Sequence, residues 1–191
     1  LEVMGEYESA VEALLLAASM VRQKGDVRLE RILSGNLALN YCHLGRFVEA
    51  AELADRVRAG AIETGDEIEV LRMTWTQGRI AAGLGRREEA RSLLAQARRE
   101  FAARNMDYDV TLALLEESAL LLDEGRLAEV KALTRELAAA FNSKGVHQEA
   151  LAALRLFQQA AEREEATAEL ARHVLGYLFR ARYAPGLRFQ S

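Results

Sequence analysis

The chain has one cysteine, one proline and one tryptophan, and only 6% of its residues are aromatic. A lone cysteine, Cys42, excludes an internal disulfide and favours a reducing, cytoplasmic setting. With Pro185 as the only proline, any helix before it must end by other means. Scarce aromatics argue against a packed sheet sandwich. No stretch approaches the ~18 consecutive apolar residues of a membrane span. The opening Leu1-Glu2-Val3-Met4-Gly5 lacks the basic segment and apolar run of a signal peptide. A net charge of −4 leaves no basic footprint, so nucleic acid is not an expected partner. Cys-x-x-Cys, His-Glu-x-x-His and glycine-rich phosphate loops are all missing, and His43, His147 and His173 lie far apart. Neither a metal, nor a cofactor, nor a catalytic constellation is expected, and the chain reads as no enzyme.

What remains is a helix former's composition, half hydrophobic and rich in Ala, Leu, Glu and Arg. It is punctuated at a fixed interval. Gly5-Glu6-Tyr7-Glu8-Ser9-Ala10 recurs as Gly45-Arg46-Phe47-Val48-Glu49-Ala50, as Gly85-Arg86-Arg87-Glu88-Glu89-Ala90 and as Gly125-Arg126-Leu127-Ala128-Glu129-Val130, each 40 residues after the last. A degenerate fifth copy falls in frame at Glu165–Leu170. Halfway between these marks stand Gly25, Gly65, Asn105 and Gly145. Gly and Asn tolerate the left-handed conformation that closes a helix. Between marks, apolar residues recur at helical spacing, as in Leu33, Leu37, Tyr41 and Leu44. The pattern predicts nine helices near 7–24, 27–44, 47–64, 67–84, 87–104, 107–124, 127–144, 147–163 and 166–182, and no sheet.

Leu37-Ala38, Tyr41, Gly45, Phe47 and Ala50 resemble the tetratricopeptide signature, which Gly78, Gly85 and Ala90 echo. The period exceeds the ~34 residues common in that family, and the proline that often ends the second helix is absent. The variant resembles long-helix arrays of bacterial regulatory and signalling proteins. The resemblance implies an all-α fold, an α-solenoid of antiparallel helix hairpins in a right-handed superhelix, with about four and a half repeats. The half repeat would be 1–25 and the full repeats 26–65, 66–105, 106–145 and 146–182, followed by a tail over 183–191. If Gly5 is the turn inside a hairpin, the native protein extends N-terminally, because a solenoid needs a polar terminal face.

The resemblance also implies a function. In this family the first helix of each hairpin lines a concave groove that holds a protein or peptide. Carried onto this sequence, the groove would present Ile32, Asn36, Leu39 and His43 from the first such helix, and Arg72, Trp75, Thr76 and Arg79 from the next. The third would add Leu112, Leu115, Glu116 and Ala119, and the fourth Arg155, Leu156 and Gln159. Three arginines among these favour an acidic peptide. Trp75 beside arginine has the composition of an interface anchor. Asn36 can hydrogen-bond a peptide backbone in either direction. The alternative is a ligand-sensing segment of a larger bacterial signalling or transcription-regulating protein. The terminal seams would also give a route to self-association. Residues 172–188 carry arginine and no acid. They are read as complementing a helix dipole while Leu170, Val174, Leu175, Leu178 and Phe179 dock the last helix.

Overall fold

The structure is a computed structural model that describes residues 2–135, 148–184 and 187–189. Among the described residues there are nine α-helices and no strand. They are α1 (Glu2–Lys24), α2 (Val27–His43), α3 (Phe47–Glu63), α4 (Glu67–Gly83), α5 (Arg87–Ala103), α6 (Asp107–Asp123), α7 (Leu127–Thr134), α8 (Gln148–Glu162) and α9 (Ala168–Ala181). The fold class is therefore all-α, built from helical repeats in which consecutive helices pack on one another. The remainder of the predicted 127–144 helix, the mark at Gly145 and the repeat boundary there lie outside the described residues.

Each of α2 to α6 is 17 residues long, and the turn chemistry explains the uniformity. Gly25, Gly45, Gly65, Gly85 and Gly125 all have φ near +70°, and Asn105 takes the same role at +55°. In the turn after α2, the Arg46 N–H donates to the Tyr41 carbonyl (2.8 Å). The same five-residue bond recurs from Asp66 to Ala61, Arg86 to Ala81, Met106 to Phe101 and Arg126 to Leu121. This satisfies carbonyls that the helix end would otherwise orphan. The next helix starts at once: Asp26 Oδ1 accepts the Leu29 N–H, and Asp66 Oδ1 that of Glu69.

The expected turn at Gly5 is not formed. Gly5 lies inside α1. The helix runs through this mark from Glu2 to Lys24. Tyr7, expected beside a turn, consequently sits within α1 and faces α2.

The chain divides into two compact units, Leu1–Leu93 and Leu94–Ser191. In the first, α1 to α4 pack in sequence order, and α2 also meets α4. Its core holds Leu37, Ala38, Tyr41, Cys42, Ala50, Ala54, Val57, Met73 and Ile80. Small residues permit the close approach. A Cβ on Gly83 would stand 2.2 Å from the Phe47 ring, so α4 can lie on that ring only because Gly83 has no side chain.

In the second unit α6 is the central helix, with Leu112, Ala113, Leu114 and Leu115 all at 0% exposure. A buried ion pair joins α5 to α6, Arg98 Nε standing 2.9 Å from Glu117 Oε2. The last helix buries Val174, Leu175, Leu178 and Phe179, as expected, and half-buries Leu170. Its partner was not foreseen. Helix α9 packs against α8 but more extensively against α6, some 50–70 residues earlier in the chain.

Candidate docking surface

On α2 the exposed or half-buried positions Leu29, Ile32, Asn36, Leu39 and His43 follow one another in steps of three and four, which is one helix face. On α4 the positions 40 residues later are Glu69, Arg72, Thr76, Arg79 and Gly83, and Trp75 stands 40 residues after the buried Gly35. Asn36 and Arg72 are exposed, and two turns further on His43 and Arg79 are half-buried. The two faces meet there. Arg79 Nη2 lies 3.4 Å from His43 Nδ1. A guanidinium only donates, so Nδ1 accepts and the neutral imidazole carries its proton on Nε2. From the other side the Tyr7 ring stacks on His43, with centroids 4.3 Å apart and planes within 1° of parallel.

Burial, and secondarily the charge of Arg79, push the His43 pKa from 6.5 down to about 2. The imidazole therefore stays neutral in the native protein at any physiological pH. In the unfolded chain it would titrate near 6.5, so the unfolded state binds the extra proton between those values. Stability linked to His43 is complete above pH 6.5 and is lost progressively as the pH falls towards 2. Replacing His43 with Gln should remove this component. Urea midpoints should fall less between pH 7 and pH 5 in the variant than in the parent chain. Equal falls would contradict the buried neutral imidazole.

Two residues expected on this face are buried. Trp75 is 4% and Thr76 is 2% exposed. The Arg79 guanidinium carbon stands 5.7 Å from the Trp75 ring centroid, so the indole serves as a platform for the arginine rather than as a projecting anchor. The Thr76 hydroxyl donates to the Arg72 carbonyl within its own helix. Behind the face, Glu69 is buried against Gly35, and its pKa is raised by that burial, with Arg72 opposing the shift.

In the second unit Glu116 is 8% exposed, so it too is removed from the surface. Arg155 and Gln159 are exposed and one turn apart on α8. Tyr7 is the contributor that sequence reasoning missed. Its only signal was its place in a glycine-aromatic mark, which pointed to a turn. Among the described residues no group of His, Cys, Asp or Glu is placed to hold a metal ion, and no helix is long and apolar enough to cross a membrane.

Stacked hairpins of uniform length, closed by left-handed glycines, define a helical-repeat protein. Residues 28–99 match the tetratricopeptide repeat model, which supports assigning this segment to the tetratricopeptide repeat family. Repeats of this family generally mediate protein–protein interaction on a scaffold without catalysis. No curated protein and no solved structure gave a match.

Proposed function

We propose that the chain is a non-catalytic, cytoplasmic scaffold that binds an acidic peptide along the α2–α4 face. The observation that carries the reading is the placement of Asn36 and Arg72. Both are exposed on the first helices of successive hairpins, on the faces that His43 and Arg79 join. Arg72 supplies a planar fork for a carboxylate. Asn36 supplies a donor and an acceptor for peptide backbone. The Tyr7–His43–Arg79–Trp75 stack holds the end of the face in one conformation, which lowers the ordering cost of binding. Arg155 and Gln159 are proposed as a further contact surface of the second unit.

The test is a titration with two amphipathic peptides of equal length, one Glu-rich and one Lys-rich. The Glu-rich peptide should bind more tightly. Arg72→Glu should weaken it by about tenfold, on the order of 1.4 kcal/mol. Arg72 is exposed, so this substitution removes no core side chain, and because its charge reaches the buried Glu69 a urea midpoint of the variant checks that the fold is kept. Equal affinity for the two peptides would overturn the acidic preference, and an unchanged affinity in Arg72→Glu would overturn the site.

A further inference from the structure

The 40-residue period maps Arg72, Trp75, Thr76 and Arg79 of α4 onto Leu112, Leu115, Glu116 and Ala119 of α6. Three of these four α6 positions are thus apolar where three of the four on α4 are polar, and all four α6 residues are buried. Helix α9 lies on α6 in the opposite direction. Arg172 near the start of α9 pairs with Asp123 at the end of α6. At the other end Arg182 pairs with Asp109, 3.3 Å away, and stands 5.4 Å from the Tyr108 ring centroid. The Tyr108 hydroxyl donates to the Leu178 carbonyl. Between these clamps Val174, Leu175 and Leu178 are buried.

We propose that the α6 face is a helix-binding groove of the second unit, and that α9 occupies it as an internal ligand. The partner it fits has the chemistry of α9 itself: an amphipathic helix with an apolar stripe and an arginine at each end. Three features support exchange of α9 for such a helix. The face is acidic at both ends, through Asp109 and Asp123, so it selects a helix with basic termini and rejects an acidic one. The Arg172–Asp123 clamp is solvent-exposed, with side chains 55% and 39% accessible, and exposed pairs of this kind hold weakly. Finally, α9 carries its own start signal, Thr167 Oγ1 accepting the Leu170 N–H, so its first turn is capped without help from α6. A partner bound to its own copy of the groove must displace α9, which makes binding competitive with the closed form and reduces apparent affinity by the fraction of molecules that are open. This inference does not rest on the α2–α4 reading, which concerns the other unit.

The experiment uses the full chain and a labelled synthetic peptide of residues 165–184. In Arg172→Glu/Arg182→Glu the internal helix loses both clamps while the peptide keeps them. The peptide should bind this variant at least about tenfold more tightly than the parent chain. Equal affinity, or no saturable binding to the variant, would overturn the proposal. A second measurement needs no substitution. In the parent chain, excess peptide should accelerate amide exchange of α9 and leave that of α6 protected. Unchanged exchange of α9 at saturating peptide would equally overturn it. A peptide with Glu at both clamp positions should have no effect, and acceleration by that peptide would contradict the charge selection.

Discussion

Replacing Arg98 with alanine is expected to destabilise the protein by about 3–5 kcal/mol, the cost of breaking a buried ion pair from one side. Arg98 and Glu117 have side chains only 11% and 8% accessible, with Nε and Oε2 2.9 Å apart. Truncation leaves the Glu117 carboxylate enclosed without the guanidinium that offsets its desolvation. The pair lies between α5 and α6. Replacing both partners with apolar residues of similar size, Arg98→Met with Glu117→Leu, should recover most of the loss, because no charge is then left buried. Urea unfolding of the three chains checks this. A loss below about 1 kcal/mol for Arg98→Ala would place the pair in the weak class of surface ion pairs and contradict the burial described.

The second large effect is expected at Trp75. With 4% of its surface exposed, Trp75→Ala should cost about 3–5 kcal/mol, the range for deleting a buried large aromatic. It should also release Arg79 from the indole platform. As the chain's single tryptophan, Trp75 reports on itself. Its emission in the native protein should be blue-shifted and poorly quenched by iodide. A red-shifted, readily quenched tryptophan with a near-neutral alanine variant would restore Trp75 to the surface as a contact for a partner.

Trp75 marks where the sequence stops being legible. Its spacing from Arg72 and Arg79 put it on their helix, yet it is buried where Arg72 is exposed. Periodicity, however, assigns a face without saying what packs over it. The same holds for Thr76 and Glu116. Asn36 and Arg72 were legible because they are polar, lie on that face, and are exposed. The helix boundaries fell within a residue or two over α2 to α6, since a left-handed glycine is a local signal that needs no tertiary context. Gly5 carried the same signal, yet α1 runs through it. The return of α9 to α6 had no local signal. Its clamps join residues 49 to 73 positions apart, and its apolar stripe would have suited a neighbouring helix equally well.

The Tyr7–His43 stack is of the same kind. Both residues were conspicuous in sequence, Tyr7 in a turn-like mark and His43 at a groove position, but nothing local paired them. Their stacking and the Arg79 contact bring three separate residues together at one end of the α2–α4 face.

The docking claim is tested most directly by nuclear magnetic resonance mapping of the full chain during titration with the Glu-rich peptide. The account predicts that the largest shift changes fall on the α2–α4 face, at Asn36, Arg72 and Arg79, with the Trp75 indole signal moving through its contact with Arg79. The largest changes on α3 or α5 instead, at exposed residues such as Val48 or Arg87, would place the docking surface on the other helices of the hairpins and contradict it.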